Sequence, residues 1–265
     1  MFSAPVREAF CVVRRARLGY ADGMLWKKTW EPEAVLALIG GIVAAFFFGN
    51  LAAGLLRQAG VGGFKSDDSL GSVLVATLSF QGAAVVLGTA FLKFHDLGWR
   101  EVFGGASWKR CLGLALAVLA GVGPVMFGLK FLSEIVLHKL HFAVVDQRAV
   151  ELILSAKTPW LSAYLVFFAV VLAPLGEEFF FRGLLFSTAK RYGWPKLGWV
   201  GVSLLFALIH VNAPTFLPLF VLALALTWLY EKTEGLLAPV LAHSLFNAAN
   251  LLLLVVGRQY GPASP

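Results

Sequence analysis

Hydrophobic and polar positions in this chain do not alternate along one face of each element. They come in long blocks. Residues 34–56, 70–92, 111–129 and 158–176 contain no Asp, Glu, Lys or Arg. Each is about as long as the ~20 apolar residues that cross a hydrocarbon core as a helix. A fifth block, 197–230, is uncharged apart from His210 and too long for one crossing. It divides at Asn212-Ala213-Pro214, because proline and the residue before it disfavour continued helix. Two spans are predicted there, 197–211 and 215–230. The last block is 235–256.

The stretch 177–192 reads as a further helix with charge at both ends. Pro174 and Gly176 just before it predict a break. A straight helix over 158–192 would run roughly 50 Å, against a ~30 Å hydrocarbon core. The chain is therefore expected to bend, tilt or turn back here. Irregular backbone at that depth is tolerated only where protein or water covers it, so the break points to a functional cavity. Residues 130–157 are polar enough for an outer loop or an interfacial helix. Trp160 and Tyr230, near span ends, fit interfacial anchors.

Composition agrees with this pattern. Hydrophobic residues make up 59% and charged residues 14% of the 265, against roughly 45–50% and about 25% in soluble domains. A soluble protein of this length could not keep so much apolar surface dry. The expectation is an all-α, polytopic integral membrane bundle of about eight transmembrane or intramembrane helices. The net charge of +7 fits basic loops against anionic headgroups and excludes no membrane function; nucleic acid is not an expected partner. No continuous apolar leader lies in 1–33, so the first block reads as a retained span. With the N-terminus inside, fourteen of the 22 Lys and Arg residues fall in inner segments, seven in outer ones, and Arg182 within the bundle. That bias places the N-terminus in the cytoplasm. Short loops and small size point to a prokaryotic plasma membrane. Cys11 and Cys111 form no metal-binding pattern and read as two separate structural thiols.

Ionisable residues at membrane depth are functional hypotheses by default. Three groups qualify, all between 177 and 250. Glu177 and Glu178 are about 100° apart on a helix. Glu178 and Arg182 are four apart and can pair, leaving Glu177 as a free acid. Such an acid could serve as a base toward a bound water. His210 closes a second group one turn after Phe206. His243, Asn247 and Asn250 share one face of the last span and must point into the bundle. For Asn250 an interhelical hydrogen bond is the expected role. Counted from Tyr192, Leu197 and Gly235, the residues Glu177, His210 and His243 lie roughly 22, 20 and 12 Å deep, so convergence is permitted.

A carboxylate, two imidazoles and a carboxamide at one buried point suggest hydrolysis. The acid and one histidine would activate water, while the other histidine and the amide would stabilise an oxyanion. The set Glu177, His210 and His243 would alternatively hold a divalent metal such as zinc. No HExxH or GxSxG is present.

Glu177-Glu178-x-x-x-Arg182, Phe206-x-x-x-His210 and His243-x-x-x-Asn247, in this order, resemble the motifs of the CPBP family. These are the type II CAAX prenyl endopeptidases and bacteriocin-processing proteins, also called the abortive-infection family. The motifs cover 174–250; the preceding spans resemble the family only in hydropathy. The resemblance implies an intramembrane endopeptidase acting on a membrane-associated, in some members lipidated, peptide or protein. It implies that Glu177 and His210 activate the attacking water, that His243 and Asn247 form the oxyanion hole, and that Glu178 and Arg182 support them. Both metal-dependent and glutamate-dependent mechanisms go with the family. The resulting division is a basic cytoplasmic segment (1–33), N-terminal transmembrane helices with an outer loop (34–157), a protease-like intramembrane core (158–256) and a tail (257–265). Two competing readings are a non-catalytic membrane immunity or scaffold protein and a small proton-coupled transporter.

Overall fold

Seven helices carry the apolar blocks in the computed structural model, which describes residues 31–66, 69–142, 151–153, 156 and 158–260, the side chains of 255 and 257–260 excepted. The basic segment before 31, with Cys11, lies outside the described residues, as do Arg148, Lys157 and 261–265. In chain order the helices are α1 (Pro32–Gln58), α2 (Leu70–Phe94), the short α3 (Trp99–Phe103), α4 (Trp108–Lys139), α5 (Pro159–Arg191), α6 (Pro195–Ile209), α7 (Ala213–Thr233) and α8 (Leu237–Tyr260). Six are long and apolar enough to cross a membrane, and α6 is a shorter apolar helix. No strand occurs among the described residues. The architecture is an all-α polytopic membrane bundle.

Large side chains such as Leu36, Phe48, Phe131 and Leu252 stand exposed on the outside. An exterior of this kind is stable against lipid, where apolar surface costs nothing. Enclosure rises toward the C-terminal half. The consecutive Phe179, Phe180 and Phe181 are all buried. Three successive residues sweep about 200° of a helix, so α5 is surrounded by protein at this level. α2 and α8 pack on its middle, and α6 packs beside the following turns. α4 lies along α7 and α8.

Three expectations are corrected. The break at Pro174 and Gly176 does not occur: α5 continues for 33 residues. Its hydrogen bonding widens to π turns at Phe168–Leu172 and Phe179–Phe186 instead. Ala173 donates to the Phe168 carbonyl, five residues back, which eases the steric conflict that Pro174 brings to a regular helix. Residues 130–139 are not loop but the end of α4, carrying a Lys130–Glu134 ion pair at 3.7 Å. Tyr230 is not an interfacial anchor. It is fully buried, edge-on to Phe186, with its hydroxyl 2.8 Å from Ser187 Oγ. Trp160 is exposed.

The division of 197–230 falls where proline chemistry requires. α6 ends at Ile209, and the Asn212 side chain accepts from the Thr215 amide at 3.2 Å to start α7. His210 therefore sits in the turn, directly after α6.

Candidate active site

Arg182 anchors the site. It is fully buried, as is Glu178, and its Nη1 donates to Glu178 Oε1 at 2.9 Å. Its other nitrogens reach α7, where Nη2 donates to the Ala223 carbonyl at 2.9 Å and Nε to Thr227 Oγ1 at 3.4 Å. The guanidinium also lies 5.0 Å from the centre of the Phe206 ring. Salt bridge, hydrogen bonds and cation–π contact together compensate the loss of water around a buried ion.

Glu178 Oε1 has a second partner, His243 Nδ1, at 2.9 Å. A carboxylate oxygen already paired with arginine is an acceptor, so Nδ1–H donates and the ring presents Nε2 to the site. That atom lies 3.9 Å from Glu177 Oε2. His243 thus stands between the two acids, held by one and facing the other. Glu178 Oε2 is buried and makes no hydrogen bond among the described residues.

Glu177 is 8% exposed, in contrast to the sealed Glu178. Its Oε1 accepts from Gln81 Nε2 of α2 at 3.1 Å. Gln81 lies in a third π turn, Leu78–Gly82. The approach of α2 requires Gly176, since a Cβ there would lie 2.9 Å from the Gln81 carbonyl oxygen.

His210 joins through an aromatic ring rather than a direct bond. Its Nδ1 is 2.7 Å from the Phe206 carbonyl, which can only accept, so Nδ1–H donates and Nε2 is the free nitrogen. The Phe206 ring contacts both imidazoles, with centroids 4.8 Å from His210 and 5.7 Å from His243. Asn247 donates from Nδ2 to the Ala169 carbonyl at 2.7 Å. Asn250 departs from the expected inward position. It is exposed and bonds back to the Phe246 carbonyl at 3.0 Å, because it lies one turn beyond the part of α8 that α5 covers.

The structure thus brings Glu177, Glu178, Arg182 and His243 into one connected cluster. His210 contacts the Phe206 ring that also touches His243, and Asn247 lies one turn along α8. Sequence reasoning missed Gln81, Thr227 and the carbonyls of Ala223 and Ala169. Gln81 had a faint signal as the one carboxamide in the uncharged stretch 70–92; backbone carbonyls have none.

Among the described residues no three His, Cys, Asp or Glu side chains converge as an ion would need. Glu177 Oε2 and His243 Nε2 face each other at 3.9 Å, but no third ligand from His210 joins them. The zinc set Glu177, His210 and His243 does not fit this arrangement.

Residues 159–249 match the family model for the type II CAAX prenyl endopeptidases, Rce1-like. This segment resembles that family. It is a protease family, and the segment contains the acids, Arg182, both histidines and Asn247, but not Gln81. Among curated proteins, the UPF0177 protein YxdF of Lactococcus lactis is 31% identical over 78 residues, 29% of this chain and 42% of that protein. An uncharacterized 24.3 kDa protein of Escherichia coli is 38% identical over 87 residues, 31% of this chain and 40% of its own length. The chain therefore spans about two fifths of the length of each relative it matches. No solved structure matches.

Proposed function

We propose that this protein is an intramembrane endopeptidase that hydrolyses a peptide bond in a membrane-associated peptide or protein substrate, as the Rce1-like segment suggests. The observation that carries the proposal is the placement of His243 between two buried acids, at 2.9 Å from Glu178 and 3.9 Å from Glu177. One acid is neutralised by Arg182 and sealed. The other has an oxygen 3.9 Å from an imidazole nitrogen, a separation that one bridging water would span.

In the proposed reaction Glu177 takes a proton from that water as its oxygen attacks the scissile carbonyl carbon. His210, with Nε2 free, would orient the water by accepting its other hydrogen once its turn moves toward Glu177 and His243. The carbonyl oxygen becomes an oxyanion. The donors proposed for it are His243, through Nε2 when that nitrogen is protonated, and the second Nδ2–H of Asn247. The C–N bond then breaks, and the proton held by Glu177 passes to the leaving nitrogen.

The basic bias of the expected inner segments supports a cytoplasmic N-terminus. The bacterial origin of both relatives supports a prokaryotic plasma membrane. The test is cleavage of a mixed library of lipidated and unlipidated membrane peptides by the purified protein and its Glu177→Gln variant, in liposomes. Cleavage by the wild type alone supports the reading. No cleavage by a folded wild type favours a non-catalytic immunity or scaffold role.

A further inference from the structure

The matched family segment begins at residue 159, yet the free acid of the site is held from outside it, by α2. We propose that Gln81 is a positioning residue for Glu177, fixing which carboxylate oxygen faces the reacting water. This inference rests on the hydrolytic reading above.

A glutamate carboxylate turns readily about its last torsion, and its two oxygens are then equivalent. The Gln81 Nε2–H removes that equivalence by occupying Oε1 at 3.1 Å. Oε2 is left as the oxygen toward His243 Nε2. Misorienting a general base by a fraction of its hydrogen-bond length costs rate without costing affinity. Backbone geometry supports the assignment independently of the side-chain contact. Gln81 lies in the π turn Leu78–Gly82, and π turns recur at functional sites. Gly176, the residue before Glu177, packs directly on the Gln81 backbone, with its absent Cβ only 3.0 Å from Gln81 Cα. Any other residue at 176 would push the two segments apart. A carboxamide in an otherwise uncharged span is also costly to leave unpaired in lipid, so the contact has a thermodynamic reason to persist.

A residue that only joined two helices would lower stability when removed and leave the chemical step intact. Gln81→Met keeps length and volume and deletes the donor. With a substrate from the peptide library, its kcat is expected to fall about 10–100-fold, the usual cost of removing an orienting partner. Its KM is expected to stay within about twofold, because substrate affinity does not depend on which Glu177 oxygen is free. Gln81→Glu keeps the shape but sets an acid beside Glu177, and is expected to lose at least as much. Wild-type kcat in the Met variant would overturn the proposal, as would a loss confined to KM. A thermal-unfolding cycle over Gln81→Met, Glu177→Met and the double variant requires no turnover. Non-additivity of about 2–4 °C is expected from a shared hydrogen bond, and strict additivity overturns the proposal whether or not hydrolysis is found. Failure of the wild type to cleave any peptide, together with a non-additive cycle, would instead sink the hydrolytic reading and leave Gln81 as the partner of Glu177.

Discussion

The side chain of Asn247 on α8 donates to the main-chain carbonyl of Ala169 on α5, at 2.7 Å. Ala169 precedes Pro174 by five residues, within the π turn Phe168–Leu172. In that register the N–H of residue 174 would serve this carbonyl, and proline has none. Asn247 supplies the missing donor from the neighbouring helix. One of its two N–H groups therefore maintains the wide turn just ahead of Glu177.

Asn247→Leu should therefore cost stability as well as any activity. Stranding this half-buried carbonyl at membrane depth is expected to cost about 1–3 kcal/mol. Replacing Pro174 with Ala in the same protein restores a main-chain N–H and should recover part of the loss. Thermal unfolding of the two single variants and the double variant in detergent reads this out. Equal melting temperatures for Asn247→Leu and the double variant would separate Asn247 from the proline.

Arg182→Met should be among the most damaging single changes. It leaves Glu178 buried without its cation and the Ala223 carbonyl with one donor fewer, an expected loss of about 3–5 kcal/mol. Arg182→Lys should not rescue it, because an ammonium cannot hold Glu178, Ala223 and Thr227 with one planar fork. A yield of folded protein near wild type for either variant would show that the ion pair is dispensable.

Glu177→Gln should behave in the opposite way. The new carboxamide oxygen can still accept from Gln81, and the contact with His243 was already a loose 3.9 Å. Melting temperature should stay near that of the wild type while hydrolysis is lost. Residual turnover at the wild-type rate would remove Glu177 from the role of base.

The two histidines should separate in the same measurements. His243→Leu breaks the hydrogen bond to Glu178 inside the cluster and should lower both stability and rate. His210 is half-buried beside a turn and holds only the Phe206 carbonyl. His210→Gln should lower the rate with little change in melting temperature. Equal destabilisation by both would assign His210 to packing.

Because no three candidate ligands converge among the described residues, the proposed hydrolysis is expected to survive incubation with a strong chelator. Abolished turnover, restored by added zinc, would require the His210 turn to move toward Glu177 and His243.

Much of this protein was legible in its sequence. The uncharged blocks determine the helices that the bilayer accepts, because backbone and side-chain polarity at that depth are both costly. The spacing of Glu178 and Arg182 determines a local pair, since residues four apart share a helix face whatever packs around them. Asn212 and Pro214 determine the turn that carries His210, through local backbone chemistry. The sequence could not show that Pro174 would be absorbed rather than break the helix, because the remedy comes from Asn247, 73 positions later. Nor could it show that His243 binds Glu178 and faces Glu177, or that Gln81 holds Glu177 from the other half of the chain. Tyr230 was misjudged for the same reason: its distance from a span end is set by sequence, but its burial is set by Phe186 and Ser187 on another helix. Local hydrogen bonding and hydrophobicity act within a few residues and can be read in order. Contacts between helices depend on rotation and depth of packing, which the linear pattern leaves free and only the assembled bundle decides.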